Sequence, residues 1–242
     1  MNIHQTLRSV EFAYNAQRRC PCVVIADVSD SMDGAPIDEL NAGLLAYKEA
    51  LCSDELASSR VEIALVTFGD RPHVHESQVT LGGRTESHPF VTVDAFNPPH
   101  LTTDGVTAMG AAIHQALDLL AARKQEYRQH GISYFRPWVV LITDGAPTDE
   151  WQSAARRLAE EQSQNGFTLF VVAVGDRCNM DLLRQLSPRR KPLRLKELNF
   201  VEFFLWLSQS HQVVSASMPG ERVELPERVN WEEQEDWDSL NS

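Results

Sequence analysis

CPCVVIA, residues 20–26, is the stretch that decides the fold, and the polar turn DVSDSM, residues 27–32, follows it at once. This run is almost continuously apolar and rich in β-branched residues, a pattern that predicts a central parallel strand buried on both faces. Similar runs occur at 61–68, 138–143 and 167–174, and stretches with helical periodicity alternate with them. The alternation predicts an α/β fold, a doubly wound, mostly parallel Rossmann-like sheet flanked by helices.

The remaining segments complete one domain with an extension at each end. An edge strand is expected over His73–Leu81, an extended piece over Phe90–Phe96 and a helix running from Pro36 past Leu51 to about residue 57. We therefore divide the chain into an N-terminal extension (1–19), the α/β domain (20–215) and a C-terminal tail (216–242). From Pro219 to Ser242 the tail has eight acidic and two basic residues, and we expect it to be flexible, without stable structure of its own.

Composition excludes several classes of protein. The net charge of −12 argues against nucleic acid as the main partner. No apolar run is long enough to span a membrane, and the first residues lack the apolar core of a secretory signal. The cysteines (Cys20, Cys22, Cys52 and Cys178) are too few and too scattered for a disulfide framework. Cys20 and Cys22 form a C-x-C motif, but the sequence has no second Cys or His pair at the spacing that would complete a zinc site. A reducing, cytoplasmic location is expected.

Hard oxygen donors lie in three loops, of which two follow predicted strands and one precedes a predicted helix. Asp27, Ser29 and Ser31 come directly after the first strand, the loop LTTDGVT (101–107) leads into the middle helix, and Thr143-Asp144-Gly145 ends another strand. Ligands of such sheets bind in the loops at the carboxyl ends of the strands. Carboxylate and hydroxyl oxygens suit Mg²⁺, Ca²⁺ or Mn²⁺ better than softer metals.

These three loops, in this order and separation, resemble the metal-ion-dependent adhesion site of von Willebrand factor type A (vWA) domains. The resemblance covers about residues 21–214 and rests on Asp27-x-Ser29-x-Ser31, the threonine before the middle helix and Thr143-Asp144-Gly145. Within that family the chain looks most like the bacterial tellurium-resistance (TerY-like) group. The runs SMDGAPIDELNAGL (31–44) and TDGAPTDEW (143–151) support this likeness.

The resemblance implies a set of metal ligands. Ser29, Ser31 and Thr107 would bind Mg²⁺ through their hydroxyls, with Ca²⁺ or Mn²⁺ as alternatives, and Asp27 and Asp144 would hold metal-bound waters or the serines. The family usually has Gly-Gly-Thr in the second loop, whereas this chain has Gly-Val-Thr at 105–107, so Thr103 is an alternative to Thr107. Because the direct donors are neutral, one metal position would accept an Asp or Glu carboxylate from a partner protein.

The function that follows is a Mg²⁺-dependent protein-interaction module. The resemblance implies a role in bacterial stress response, such as tellurite or other chemical stress, or in a related signalling or defence system, with a kinase- or phosphatase-like partner. The alternative is a Mg²⁺-dependent phosphohydrolase. Such enzymes commonly need a second Asp two residues after the nucleophile, where this chain has Ser29, and no Gly-rich phosphate-binding loop is present. We therefore expect no enzymatic activity, no nucleic-acid partner and no membrane partner.

Three further features have two interpretations each. His73 and His75 could be a metal pair but are more simply surface residues of an edge strand. The basic stretch from Arg184 to Arg194 could meet an acidic partner or the acidic tail, or be a solvated loop. The tail, with Trp231 and Trp237 around acidic residues, is either a solvated end or a segment for self-association.

Overall fold

A computed structural model describes residues 11–81, 83–176, 178–218, 221–228 and 231–233. The strands, in chain order, are β1 (Cys20–Asp27), β2 (Val61–Phe68), β3 (Pro72–His75), β4 (Ser77–Leu81), β5 (Arg84–His88), β6 (Val91–Thr92), β7 (Trp138–Thr143), β8 (Thr168–Ala173) and β9 (Leu193–Arg194). The α-helices are α1 (Ala35–Cys52), α2 (Glu55–Arg60), α3 (Met109–Gln129), α4 (Gln152–Ser163), α5 (Met180–Leu186) and α6 (Phe200–Ala216).

The predicted mostly parallel sheet is confirmed. Its main path runs β3-β2-β1-β7-β8-β9, with β6 also pairing with β2. β1 pairs in parallel with β2 on one side and with β7 on the other, whereas β3 and β6 pair antiparallel with β2. β1 is therefore the centre of the sheet, and the turn that follows it lies at the middle of the carboxyl edge.

Each face of the sheet has its own core because successive strand residues point to opposite sides. From β1, Val24 packs with residues of α1 and α6, whereas Val23 and Ile25 pack with residues of α3 and α4. The whole of β1 is buried. Helices cover both faces, which explains why the central strands are apolar without alternation.

Two predicted elements are wrong in their extent. The single edge strand expected over His73–Leu81 is two strands, since β3 pairs with β2 while β4 pairs only with β5 in a separate hairpin. Gly83, with a φ of 78°, allows the turn that folds β5 back onto β4. The long helix predicted from Pro36 stops at Cys52, and a new helix begins because the Asp54 side chain accepts a hydrogen bond of 2.7 Å from Ala57 N.

Part of the C-terminal tail packs on the domain, in contrast to the flexible tail expected from its composition. Trp231 is 1% exposed and lies against Phe203 and Trp206 of α6, with ring centroids 4.9 and 5.1 Å away. Lys196 N donates to Trp231 O, and Glu233 N donates to Arg194 O. The aromatic side chain supplies the apolar burial that a charged segment otherwise lacks.

Among the described residues, no helix is both long and apolar enough to cross a membrane. Cys20, Cys22 and Cys178 are buried free thiols, and Cys52 is exposed.

Candidate metal centre

Asp27 is the last residue of β1, and its carboxylate is bonded entirely within the protein. The side chain is fully buried. Its Oδ1 accepts a hydrogen bond of 2.9 Å from Ser29 N, and its Oδ2 accepts one of 2.6 Å from Thr143 Oγ1. Asp27 therefore links the turn after β1 to the end of β7.

Among the residues that the structure describes, no Arg, Lys or His side chain forms an ion pair with Asp27. Burial raises the pKa of its carboxyl above the usual value, and the nearby charge of Asp144 raises it further. Hydrogen bonds from Ser29 and Thr143 oppose the shift but do not cancel it. The site thus contains a negative potential that a bound cation would relieve.

The two serines of the turn bring their hydroxyls together. Ser29 Oγ and Ser31 Oγ are 3.1 Å apart, and Ser31 Oγ donates to Asp144 Oδ1 at 2.7 Å. Ser29 is 2% exposed, whereas Ser31 is exposed. The pair forms one continuous polar group that reaches from the buried floor of the turn to solvent.

The second loop is joined to the first by two hydrogen bonds of Asp30, one through its side chain and one through its backbone. Gly105 N donates to Asp30 Oδ1 at 2.9 Å, and Asp30 N donates to Gly105 O at 2.8 Å. Asp30 therefore positions the second loop against the first. Gly105 has a φ of 62°, and a Cβ there would meet Asp70 Oδ1 at 1.8 Å, so another residue would be strained and would have to displace the Asp70 carboxylate.

Thr107 lies on the same side of the site as Ser31. An ideal Cβ built on Gly145 would be 3.9 Å from Ser31 Oγ and 3.9 Å from Thr107 Oγ1. Thr107 is 6% exposed, while Thr103 is half-buried earlier in the loop. The glycine leaves the space in front of the two hydroxyls free of side-chain atoms.

Three residues that support Thr107 are not identified by the sequence analysis. Thr148 Oγ1 accepts a hydrogen bond from Thr107 N, and Asp149 accepts bonds from Gly110 N and the following amide at the start of α3. Asp70 Oδ1 accepts a bond from Val106 N. No local pattern indicates the contact between Asp149 and Gly110, because 39 residues separate them along the chain.

The donor set fits a small hard cation. Mg²⁺ takes octahedral oxygen ligands at about 2.0–2.1 Å, which places neighbouring ligand oxygens about 2.9 Å apart. The distance of 3.1 Å between Ser29 Oγ and Ser31 Oγ is close to that edge. Within the described part of the chain, no group of three or more His, Cys, Asp or Glu could hold a metal ion, so the Cys20 and Cys22 pair has no partner ligands there.

The sequence of the domain that carries this site matches a known protein family. The family description of the von Willebrand factor type A domain matches residues 22–202. The chain belongs to the vWA domain family. Such domains are typically metal-dependent protein-interaction modules and commonly bind a divalent metal. Members related to this chain are mainly adhesion or interaction modules.

Solved vWA-like structures agree with the fold. The pilus adhesin SpaC from Lactobacillus rhamnosus GG has a TM-score of 0.58 at 13% identity, over 81% of this chain and 31% of its own. The human COPII-coat protein Sec24c has a TM-score of 0.56 at 12% identity, over 81% of this chain and 32% of its own. Proximal thread matrix protein 1 from the mussel byssus has a TM-score of 0.53 at 15% identity, over 83% of this chain and 47% of its own. This vWA chain thus spans less than half of each, and the likeness concerns the fold. A search of curated proteins finds no match.

Proposed function

We propose that this vWA domain binds one divalent cation, Mg²⁺ in the cell, and uses it to capture an acidic residue of a partner protein. Ser29, Ser31 and Thr107 would hold the ion through their hydroxyls. Asp27 and Asp144 would orient those hydroxyls and metal-bound waters. The ion, when bound, would supply the positive charge that attracts an Asp or Glu carboxylate.

The observation that carries this proposal is the chain of contacts from Ser29 Oγ to Ser31 Oγ to Asp144 Oδ1, at 3.1 and 2.7 Å. It joins the loop after β1 to the loop after β7, although 113 residues separate Ser31 from Asp144. Three loops meeting in hydroxyl oxygens form a set of donors for a hard cation.

The charge of the site supports binding of an external carboxylate. Both oxygens of Asp27 are occupied by Ser29 N and Thr143 Oγ1, so this residue neutralises a bound ion only from a distance. The hydroxyl donors are neutral. A divalent ion held this way would keep most of its charge, which an acidic side chain from a partner can meet.

For the second loop, the geometry supports Thr107 over Thr103. Thr107 Oγ1 and Ser31 Oγ lie at equal distances from the Cβ position of Gly145. The Thr107 backbone is held on both sides, since its N–H donates to Thr148 Oγ1 and its carbonyl accepts from Thr148 N. A ligand needs such support to keep its position when the ion leaves.

We further propose a cytoplasmic role in bacterial stress response, with a kinase- or phosphatase-like partner and without catalysis by this chain. This part rests on the resemblance to the TerY-like group. Self-association through the acidic tail is a weaker proposal, because Trp231, its most apolar described anchor, is buried in its own chain. Light scattering of the chain with and without residues 219–242, in Mg²⁺ and in EDTA, tests it: unchanged mass would exclude it.

Metal binding is tested by titrating the protein with Mn²⁺, followed by electron paramagnetic resonance, and by competing with Mg²⁺. Ser29→Ala should weaken Mn²⁺ binding at least about tenfold, equivalent to about 1.4 kcal/mol. Ser163→Ala is the matched control, since among the described residues its hydroxyl bonds to Glu160 O alone, at the end of α4. Equal Mn²⁺ affinity in wild type and Ser29→Ala would contradict the proposed ligands.

Partner capture is tested separately by pull-down from a bacterial lysate in Mg²⁺ or in EDTA. A partner retained by wild type in Mg²⁺ should be lost in EDTA and lost with Ser29→Ala, but kept with Ser163→Ala. Mg²⁺-dependent turnover of phosphate esters that Asp27→Ala abolishes would instead favour the phosphohydrolase.

A further inference from the structure

A small cavity of about 130 Å³ lies at the amino end of the sheet, opposite the candidate metal centre. It is bounded by the segment before β7, the start of β8 and the loop that follows α5. Its lining consists of three arginines (Arg136, Arg189 and Arg190), three uncharged polar residues that include Asn165 and Thr168, and two apolar residues. None of these lining residues carries a carboxylate.

Neutral groups hold two of the three arginines in place. Arg189 Nη1 donates to Gln162 O at 3.1 Å. The Arg190 guanidinium lies over the Phe170 ring, with its central carbon 4.6 Å from the ring centroid. Contacts of this kind fix a guanidinium without cancelling its charge, because a carbonyl or an aromatic face carries no net charge.

These three side chains differ in this respect from other arginines of the domain. Arg157 and Arg194 each pair with carboxylates, at 2.8 Å to Asp118 and 3.6 Å to Glu233. Among the described residues, no ion pair with a carboxylate joins Arg136, Arg189 or Arg190. In a chain with a net charge of −12, three such guanidiniums around one cavity form a local positive site.

The electrostatics of Arg190 point the same way. Burial and the neighbouring charge of Arg228 lower the pKa of its guanidinium below the usual value. An anion beside Arg190 would offset both effects.

The size and chemistry of the cavity select the anion. A volume of about 130 Å³ is well below the roughly 300–1,000 Å³ of pockets that take whole drug-sized ligands. It suits one compact tetrahedral group, to which Arg guanidiniums, the Asn165 amide and the Thr168 hydroxyl can donate. We infer that this cavity binds a phosphoryl group, carried either by a small molecule or by a phosphorylated side chain of a protein.

This site is independent of the metal centre. Thr168 begins β8 opposite Trp138 at the start of β7, whereas Thr143 ends β7 beside the metal centre. Five residue steps along β7 separate the two ends, or about 17 Å. Phosphate binding in the absence of any metal therefore reports on the arginine cavity and not on Ser29, Ser31 and Thr107.

The test is isothermal titration of the full chain with inorganic phosphate in EDTA at low ionic strength. Wild type should bind one phosphate, and Arg136→Gln and Arg189→Gln should each weaken it at least about tenfold, as expected for a charge-assisted hydrogen bond. Arg84→Gln, an exposed arginine of the β4–β5 hairpin, removes the same charge elsewhere and should leave the affinity unchanged. Ser29→Ala should also leave it unchanged.

A second arm identifies the source of the phosphoryl group. A phosphoserine peptide that competes with phosphate at least tenfold more tightly than phosphate itself would indicate a phosphoprotein, with its unphosphorylated form as control. Phosphate binding without peptide binding would indicate a small molecule. No phosphate binding, or equal binding by wild type, Arg136→Gln and Arg189→Gln in proteins of native circular dichroism, would overturn the inference.

Discussion

Two buried carboxylates, one at each end of the sheet, are treated in opposite ways. Glu62, near the amino end of β2, accepts from Arg19 Nε at 2.6 Å, from Arg123 Nε at 2.8 Å and from Tyr127 Oη at 2.5 Å. Asp27, at the carboxyl end of β1, accepts from the Ser29 amide and the Thr143 hydroxyl, both of which are neutral. Both side chains are fully buried.

The pKa shifts of the two carboxyls differ in sign for this reason. For Glu62, burial favours the neutral form, but the charge of Arg123 and its hydrogen bonds outweigh burial and lower the pKa. For Asp27, burial is the largest influence and the pKa is raised. The fold therefore balances the charge of Glu62 with arginines, whereas the charge of Asp27 stays unbalanced at the proposed metal site.

The largest expected effect on stability comes from removing the charge of Glu62, which arginines balance. Glu62→Gln should lower the free energy of unfolding by about 3–5 kcal/mol, because it leaves buried guanidinium charge without its counterion. Arg19 has no other carboxylate among the described contacts of its guanidinium. Urea unfolding followed by circular dichroism measures the change.

Glu126→Gln is the matched control for that variant. Glu126 also pairs with Arg123, at 2.8 Å, but its side chain is 28% exposed and Arg123 keeps Glu62 and Glu11. We expect a loss of less than about 1 kcal/mol. Similar losses for Glu62→Gln and Glu126→Gln would show that the buried network contributes little.

His211 should contribute a second effect of about 2 kcal/mol on acidification from pH 7 to pH 5. His211 is fully buried, its Nδ1 lies 3.0 Å from Tyr47 Oη, and burial lowers its pKa to about 3. Between its usual pKa of about 6.5 and about 3, only the unfolded chain takes up the proton, so stability falls with falling pH. Above about pH 6.5 this contribution is fully present.

The pH effect is measured by urea unfolding at both pH values. His211→Phe should be less stable at pH 7, since Tyr47 loses its partner, but should show a smaller fall between pH 7 and pH 5. The difference in slope is the test, and an identical slope in wild type and His211→Phe would refute the role of His211.

The smallest effect on stability is expected at the carboxyl end of the sheet, beside Asp27. In EDTA, Asp144→Asn should change the free energy of unfolding by less than about 1 kcal/mol, because it removes a charge that opposes Asp27 and keeps an oxygen for Ser31. If Mg²⁺ binds as proposed, it should raise the melting temperature of wild type, and the same substitution should abolish that rise. Thermal unfolding in Mg²⁺ and in EDTA compares the two, and a large loss in EDTA would make Asp144 a structural residue.

The sheet and the order of the site loops were predictable from local patterns. Apolar runs identify β1, β2, β7 and β8, because strands covered on both faces have no room for polar side chains. The edge elements were predicted less well. β3 and β4 form one apolar-polar run in sequence, and only their pairing with β2 and β5 separates them.

Contacts between distant residues could not be predicted from any local pattern. Thr143 bonds to Asp27 across 116 residues, Asp149 to Gly110 across 39, and Arg123 to Glu62 across 61. Trp231 shows the same limit, since its acidic neighbourhood indicates a solvated tail while the ring is buried against α6.

The sequence by itself determined the alternation of strands and helices and the placing of hydroxyl and carboxyl residues at strand ends, since both depend on neighbours along the chain. The tertiary structure alone decided which of these groups meet and which charges are balanced. Glu62 and Asp27 are both acidic residues in apolar strands. The fold places arginines beside Glu62, which makes Glu62 part of the framework. It places a neutral hydroxyl beside Asp27, which leaves Asp27 as part of a candidate binding site.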